Sequence, residues 1–543
     1  MKKLLFVLLS GLLLVISFPF SGSFTPLVFI GFVPLLMLRK QHLEAEQKTW
    51  KLGLWNYFSF LLWNLGTTWW VANASIDGAI FAFTINALLM TLVFGTWSWI
   101  HRKINSSLSY WLLIPIWLIF EFGHHRWDLS WPWLTLGNYF SVRTGWVQWY
   151  EWTGTLGGSA WVLLVNLLIF RLYNVYRDVA KRNRNIFALI GVLIIPIAVS
   201  QILLSLVTID KKTTSLNAVV LQPNVDPYSE KFAANASNEV FADSLINLAN
   251  RHITNQTDLV IAPETALPLS FLEDRLHTFE FGEKLQEQVS KWPQANLLIG
   301  ASTVKLFDSK QSVASTPIPN EKRWYESYNS AILLSKNHEP QFAHKSKLVP
   351  GVELIPFSAY LPFLSAIAIE NGGTSGTLGV EKEPKVLDIL MKDHDKLNQK
   401  SNQNIGLAPI ICYESIYGDF VRKQVQKGAQ FVCVITNDGW WGDTPGYKQH
   451  FSFARLRAIE TRRWVLRSAN TGASGSIDPS GKVVKKTSYW TKEAFSQNVE
   501  LRTDRTFYTT YGDYIAGLCI SWIFFAFSHL LMQKAQKVRN LQQ

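Results

Sequence analysis

Three residues, far apart in the sequence, have side chains that together can perform nucleophilic catalysis. Glu264 and Cys412 each close an apolar run, and Lys345 lies in a polar segment between them. A free thiol has a pKa near 8.5, so forming a thiolate at pH 7 costs roughly 2 kcal/mol. A carboxylate can remove that proton as a general base, and an ammonium can stabilise the thiolate and the oxyanion of a tetrahedral intermediate. The backbone N–H of Tyr413 could supply a second donor to that oxyanion.

Taken alone, each of these residues has a plainer explanation. A lone cysteine at a strand end is usually a small buried hydrophobe, which is also how we interpret Cys433 and Cys519. Glu264 could be an acid in the first turn of a helix, and Lys345 a solvated loop charge. Only the convergence of all three favours catalysis.

The elements that must position these residues alternate between short apolar strands and polar helical stretches, which is typical of an α/β fold. In such sheets, ligands bind beyond the carboxyl ends of the strands. The predicted strands are Leu216–Leu221, Leu259–Ala262, Leu297–Ala301, Ser330–Leu334, Leu407–Cys412, Phe431–Thr436 and Val465–Ala469, and the predicted helices lie near 239–254, 273–291, 415–428 and 449–463. A glycine-rich segment at 371–379 lacks phosphate-loop spacing, so we expect a mobile loop that closes over the site.

The composition indicates a chain that is partly dissolved in lipid. Of 543 residues, 48% are hydrophobic and only 17% charged, with 23 Trp and 34 Phe, whereas globular domains carry about 25% charge. Three cysteines without a CxxC pair exclude a disulfide framework and a zinc or redox motif of that type. His124 and His125 are expected to be interfacial residues, since adjacent histidines without a third partner rarely bind metal.

Eight apolar stretches are candidate membrane spans. No cleavage site follows the first, so we expect it to be retained. The predicted domains are a seven-helix transmembrane bundle at 1–207, a soluble domain at 208–513, and an eighth helix with a tail at 514–543. The spans lie near 4–20, 25–38, 53–72, 79–100, 108–121, 159–170, 186–207 and 514–532.

The distribution of charge orients these spans. With the N-terminus in the cytoplasm, the inner segments hold sixteen basic and three acidic residues, while the whole chain has a net charge of +12. The basic excess is thus confined to one side, as the positive-inside rule requires, and it argues against nucleic acid as a partner. We expect both termini in the cytoplasm of a bacterium and the soluble domain in the periplasm.

Several motifs in the soluble segment resemble those of the nitrilase superfamily. They are Pro263-Glu264-Thr265, Lys345 eight residues before Glu353, Cys412-Tyr413-Glu414, Thr436-Asn437-Asp438-Gly439-Trp440, Tyr328-Asn329-Ser330, Gln449-His450 and the segment 467–472. Together with the eight spans, they make the chain similar to the bacterial apolipoprotein N-acyltransferase family. The resemblance implies a nitrilase-like αββα sandwich inserted into an eight-helix transmembrane bundle.

The resemblance also implies a reaction. A phospholipid donates an acyl chain to Cys412, and the resulting thioester is attacked by the amine of the N-terminal S-diacylglyceryl cysteine of an apolipoprotein. Glu264 is then the base and Lys345 an oxyanion donor, with Glu353 and Glu414 orienting Lys345. The resemblance implies a monomer of the inner membrane that needs no cofactor or metal.

Two aromatic residues have weaker assignments within this resemblance. Trp440 and Trp133 are candidates for the acyl or headgroup path, although belt or core aromatics are an equally good interpretation. The sequence also departs from the family pattern at Gly351-Val352 and at Lys347, and an early family Trp is replaced by Tyr228 or Phe232.

Two rival functions use the same segments. A membrane-anchored carbon–nitrogen hydrolase acting on a small amide would share the triad but end with water. A non-enzymatic scaffold would have kept only the fold. Eight spans argue against the first rival, because one anchor would suffice, and the retention of all three triad residues argues against the second.

Overall fold

A computed structural model describes residues 2–46, 48–104, 107–207, 214–361, 363, 376–390 and 404–542. The chain divides into two compact units. The helical unit comprises Met1–Ala72, Ile76–Leu206 and Tyr511–Gln543, and the sandwich unit comprises Asn73–Ser75 and Val207–Thr510. The helical unit therefore takes its residues from both sides of the sandwich unit in the sequence.

Helices account for most of the helical unit. They are α1 (Lys2–Ser17), α2 (Val33–Glu44), α3 (Thr49–Thr68), α4 (Ile76–Ile104), α5 (Ser107–Trp111), α6 (Leu113–His124), α7 (Tyr150–Val175) and α8 (Val179–Leu206), with α14 (Tyr514–Gln542) at the end of the chain. Each predicted span overlaps at least one of these helices.

Among the described residues, three helices are long and apolar enough to cross a membrane: α4, α7 and α8. The other predicted spans form helices that are shorter or less apolar by the same measure. The second span, for example, divides into a 3₁₀ turn at Thr25–Ile30 and the twelve-residue α2, because Pro34 at the start of α2 favours a new helix there. These three apolar helices support a membrane protein.

The sandwich unit is built from two sheets and four principal helices. Its strands are β1 (Ser215–Gln222), β2 (Leu259–Ile261), β3 (Leu267–Leu272), β4 (Asn296–Phe307), β5 (Thr316–Pro317), β6 (Trp324–Leu334), β7 (Gln341–His344), β8 (Leu387–Leu390), β9 (Asn404–Ile411), β10 (Phe431–Thr436), β11 (Val465–Ala469), β12 (Gly475–Ile477), β13 (Val483–Lys486) and β14 (Glu493–Glu500). Its helices are α9 (Asn238–Asn250), α10 (Glu280–Lys291), α11 (Gly418–Gln426) and α12 (Pro445–Thr461), and the short α13 (Phe507–Tyr511) follows.

The strands form two mixed sheets. The first has the order β14-β1-β2-β4-β6-β5, with β3 paired to β4 and β7 to β6. The second has the order β13-β12-β11-β10-β9-β8. Strands β1, β2 and β4 run parallel, as do β9, β10 and β11. Each sheet therefore has a set of carboxyl ends at one edge, where ligand sites of α/β folds lie.

Alternating side chains of β1 show how the layers form. Leu216, Ala218 and Val220 belong to a core with residues of both sheets. Val219 and Leu221 point the other way, into a core with α9 and α10, because successive side chains of a strand face opposite sides. Helices α11 and α12 pack on β9 and β11 of the second sheet. The unit is an αββα sandwich, so the predicted nitrilase-like fold of this part is confirmed.

Part of the predicted mobile loop lies outside the described residues, namely 371–375. Its described end is held in place: the N–H of Leu378 donates to the Glu353 carbonyl oxygen at 2.9 Å, and the N–H of Gly379 donates to the Ser327 carbonyl oxygen at 2.8 Å. The end of this loop therefore reaches the segment that carries Glu353.

Candidate active site

Each candidate catalytic residue follows a strand. Glu264 lies three residues after β2, Lys345 directly follows β7, and Cys412 directly follows β9. The amide of Lys345 still bonds to the Asn329 carbonyl oxygen at 2.8 Å, which extends the β6–β7 ladder by one residue. The fold thus explains why residues so distant in sequence can share one site.

The backbone turns sharply at two of these strand ends. Cys412 has φ +52°, where β9 passes into a 3₁₀ turn at Cys412–Ile416. Thr265, the residue after Glu264, has φ +44°. This left-handed region costs a non-glycine residue roughly 1–2 kcal/mol, and such strain is concentrated at functional sites.

Glu264 and Lys345 form a buried ion pair. The Nζ atom of Lys345 lies 3.2 Å from Oε1 of Glu264 and 2.8 Å from Oε1 of Glu353. The side-chain amide of Asn329 donates to the same two oxygens, at 2.8 and 3.2 Å respectively. All four side chains are buried. The ammonium and the amide therefore hold the two carboxylates in a fixed arrangement.

Electrostatics keep this pair charged. Burial acts to raise the pKa of Glu264, but the Lys345 ammonium and the Asn329 amide outweigh it, so the pKa is lowered. Burial acts to lower the pKa of Lys345, but the carboxylates of Glu353 and Glu264 raise it above its usual value. A carboxylate that stays ionised at neutral pH can accept a proton.

The thiol of Cys412 is protonated at rest. Burial raises its pKa, the Glu264 carboxylate raises it further, and the Lys345 ammonium opposes them. Both charged groups thus act on this thiol, and the residue itself is partly exposed. A thiol with a raised pKa needs a base at the moment of attack. Two carboxylates raise the pKa of this thiol, Glu264 more than Asp438, and Asp438 is already paired with Arg467 and His450.

Glu414 connects the two halves of the site through the backbone. Its carboxylate accepts the N–H groups of Ser346 at 2.6 Å, Lys347 at 3.3 Å and Ile411 at 2.8 Å. Burial raises the pKa of Glu414 to about 7. We expected Glu414 to orient the Lys345 ammonium. Its hydrogen bonds instead fix the backbone just after Lys345 and just before Cys412. Contact with the ammonium is made by Glu353.

A second buried network, which the sequence motifs did not single out as functional, supports the Cys412 turn. Nε2 of His450 lies 3.1 Å from the Cys412 carbonyl oxygen and 2.9 Å from Oγ of Ser415. Its Nδ1 lies 3.0 Å from Asp438, whose other carboxylate oxygen accepts from Arg467 at 2.6 Å. The only sequence signal was the presence of these residues in the matched motifs.

The remaining predicted residues lie in different surroundings. Tyr413 is buried with its ring edge-on to Tyr417. Trp440 is partly exposed and contacts Tyr228 and Phe232, with ring centroids 5.1 and 5.8 Å away.

Trp133 belongs to the helical unit. It is buried between Trp70 and Trp131. The assignment of either tryptophan to an acyl path stays a prediction. In the described part of the chain, no group of three or more His, Cys, Asp or Glu side chains is placed to hold a metal ion.

Two family models match this chain. The model for "Carbon-nitrogen hydrolase" covers residues 220–505, which is more than half of the sequence. The model for "Apolipoprotein N-acyltransferase N-terminal domain" covers residues 10–168.

Relatives and solved structures are similar to this chain over different lengths. A Chlorobaculum tepidum protein named apolipoprotein N-acyltransferase is 29% identical over 96% of this chain and 95% of its own length. A Geobacter metallireducens protein of the same name is 25% identical over 96% and 94%. The crystal structure of Saccharomyces cerevisiae Nit3, a member of branch 10 of the nitrilase superfamily, has 14% identity and a TM-score of 0.35 over 54% of this chain and 93% of that one. The chain belongs to the carbon–nitrogen hydrolase family, as a member that also carries the N-terminal domain of the apolipoprotein N-acyltransferases.

Proposed function

We propose that this protein is an apolipoprotein N-acyltransferase, which performs the last step of bacterial lipoprotein maturation. It transfers an acyl chain from a phospholipid to the α-amine of the N-terminal S-diacylglyceryl cysteine of an apolipoprotein. One observation carries the proposal. The same chain has a buried Glu264–Lys345 pair that acts on the Cys412 thiol and helices that can span a membrane. Whole-length relatives of that name support it.

In the first half-reaction, the Cys412 sulfur attacks the ester carbonyl of the phospholipid. Glu264 accepts the thiol proton, and the Lys345 ammonium and the Tyr413 N–H stabilise the oxyanion. The tetrahedral intermediate collapses to a thioester. The lysophospholipid leaves as an alcohol after it takes the proton from Glu264, which restores the carboxylate.

In the second half-reaction, the α-amine of the acceptor attacks the thioester carbonyl. Glu264 accepts one amine proton and delivers it to the departing sulfur of Cys412, so an amide forms and the thiol is regenerated. The same oxyanion donors serve both steps. Because one base handles both protons, the enzyme returns to its starting charge state after each cycle.

The positions of Glu353, Asn329 and Glu414 fit supporting roles. Glu353 and Asn329 fix the Lys345 ammonium and the Glu264 carboxylate relative to each other. Glu414 fixes the backbone beside Lys345 and Cys412. Positioning of this kind matters because a misplacement of about 1 Å can cost on the order of 100-fold in rate.

The proposal extends to topology. We propose eight spans, both termini in the cytoplasm, a catalytic domain at 208–513 in the periplasm, and a monomer in the bacterial inner membrane. Both substrates are lipid-anchored, and withdrawing an acyl chain from a bilayer costs about 0.8 kcal/mol per CH₂. A membrane-embedded enzyme avoids this cost because the chain stays in an apolar environment.

A transfer assay tests the proposed function. The purified protein is mixed with phosphatidylethanolamine labelled in its sn-1 acyl chain and with a diacylated lipopeptide. We expect labelled, N-acylated lipopeptide from the wild-type protein and none from Cys412→Ser. Release of labelled free fatty acid at the same rate with and without lipopeptide would instead support the hydrolase alternative, which the match to an acyltransferase N-terminal domain disfavours.

A further inference from the structure

A second buried lysine lies at the catalytic centre. Lys231 ends a single π-helical turn at Pro227–Lys231, between β1 and α9. Its side chain is only 2% exposed, and its Nζ atom donates to the backbone carbonyl oxygen of Glu264 at 2.9 Å. Lys231 therefore contacts Glu264 through the main chain and not through its carboxylate.

The turn that presents Lys231 is fixed at its start. The Asp226 carboxylate accepts the N–H of Tyr228 at 2.8 Å, and the N–H of Lys231 bonds back to the Asp226 carbonyl oxygen at 2.9 Å. Asn470, which follows β11, accepts from the Val225 N–H and donates to the Val225 carbonyl oxygen. The lysine is thus built into the site and is not a surface side chain that happens to fold inwards.

The charges of the centre explain why a second cation is useful there. Glu264 and Glu353 carry two negative charges, and Lys345 supplies one positive charge. A buried group with an uncompensated charge is costly, and Lys231 supplies a second cation when it is protonated. Burial lowers the pKa of Lys231 to about 7, while the Glu264 carboxylate and the Cys412 thiol act to raise it. The acids Asp226 and Glu230 lie on its own turn.

We propose that Lys231 is a positioning residue of the catalytic centre, which fixes the Glu264 turn through its carbonyl oxygen and, as a second cation, keeps the Glu264 carboxylate ionised. The proposal rests on Glu264 being the base for Cys412 in the proposed function. It predicts that loss of the Lys231 charge raises the pKa of Glu264, because one of the charges that lower it is removed.

The test is alkylation of Cys412 by iodoacetamide as a function of pH, read by peptide mass spectrometry on the full-length protein in detergent. We expect the acidic limb of the Lys231→Met profile, which lies below pH 7 where wild-type Lys231 carries its proton, to move up by about one pH unit. On that limb the variant should react about tenfold more slowly than wild type at the same pH. Lys231→Arg, which keeps the charge, should recover part of the rate. Lys336→Met is the matched control, because Lys336 also donates to a carbonyl oxygen, that of Ser290 at 2.8 Å, but at an exposed site.

The position of the acidic limb separates this role from a merely structural one. Removing one partner of a buried charged cluster leaves the others uncompensated, so Lys231→Met should unfold at a lower temperature than wild type whichever role Lys231 has. A wild-type rate and profile in Lys231→Met would overturn the proposal. So would a slower reaction with an unshifted acidic limb.

The two proposals fail in different ways. If wild-type Cys412 takes up no acyl chain from phospholipid but its alkylation depends on Lys231, the proposed function is wrong and the role of Lys231 stands. If acyl transfer occurs and Lys231→Met leaves the alkylation profile unchanged, the role of Lys231 is wrong and the proposed function stands.

Discussion

Asn329 shows how a neutral side chain controls the charge of Glu264, the proposed base. Its amide donates to the carboxylates of Glu264 and Glu353. A hydrogen bond to a charged group contributes about 1.5–3 kcal/mol, which is enough to move a pKa by a unit or more. The direction is fixed by chemistry: a donor to the ionised form lowers the pKa of an acid.

Replacing Asn329 by leucine should therefore raise the pKa of Glu264. Glu264 would then be protonated up to a higher pH. We therefore expect the acidic limb of the pH profile of the Cys412 acylation rate to move up by about one pH unit. The measurement is the rate of acyl-adduct formation between pH 4 and 8. Asn238→Leu is the control, since Asn238 also donates from its amide, to the Leu269 carbonyl oxygen. An acidic limb that stays in place would show that Asn329 does not act on the base.

The site residues could be predicted from the sequence only where they carried reactive chemistry. Glu264, Lys345 and Cys412 were identifiable because an acid, an amine and a thiol together predict a reaction. Asn329 appeared only within a matched motif, without a role, and Lys231 in none, because an amide in a strand and a lysine in a polar segment are common in every protein. Their importance depends on contacts across 65 and 33 residues of sequence, which no local pattern encodes.

Strand β4 shows how a neighbouring element fixes the turn at Glu264. The N–H of Gly300 donates to the Pro263 carbonyl oxygen at 3.1 Å. A Cβ atom at residue 300 would lie 2.6 Å from the Glu264 Cα atom and 2.7 Å from the Thr265 N atom. These are backbone atoms, so the turn would have to move to make room for any side chain.

Gly300→Ala should reduce catalysis without unfolding the protein. Because a shift of about 1 Å in a catalytic group can cost on the order of 100-fold, we expect acyl transfer to fall by about that factor. The protein should still fold but unfold at a lower temperature, since overpacking costs about 1–3 kcal/mol. The measurement is the initial rate of lipopeptide acylation. Gly517→Ala is the control, because a Cβ atom there meets nothing within 4 Å. Wild-type activity in Gly300→Ala would contradict this account of the turn.

At the level of elements, the sequence predicted buried structure better than exposed structure. All seven predicted strands are present, because their apolar runs form the sandwich core. Seven of the described strands were not predicted: β3, β5, β7, β8, β12, β13 and β14. Among them, Val483–Lys486 and Glu493–Glu500 are at least half polar and lie at sheet edges. Edge strands of this kind often carry charged side chains, which hide the strand pattern but discourage aggregation.

At the scale of the whole molecule, the helical unit was predicted in outline but not in detail. Every predicted span is helical, yet only α4, α7 and α8 meet the length and hydropathy expected of a membrane span among the described residues. Hydropathy locates apolar stretches, but short helices such as α2 and α6 depend on packing that a sequence does not reveal.

Cysteine labelling tests the proposed topology directly. In a background that carries Cys412→Ser, Cys433→Ala and Cys519→Ala, single cysteines are placed at the exposed positions Asp308 and Lys181. We expect a membrane-impermeant thiol reagent to label Asp308→Cys in intact bacterial cells from the periplasmic side, and Lys181→Cys only after the inner membrane is opened. The reverse pattern would place the sandwich unit in the cytoplasm and contradict the proposed localisation.

The central claim is that Cys412 carries an acyl chain from a membrane lipid to an amine, and the mass of the intact protein tests it most directly. After incubation with a phospholipid of known acyl composition, the protein should gain the mass of one acyl chain on Cys412. That adduct should persist in buffer and disappear when a diacylated lipopeptide is added. No adduct, an adduct on another residue, or one that water removes as fast as the lipopeptide does would contradict the claim.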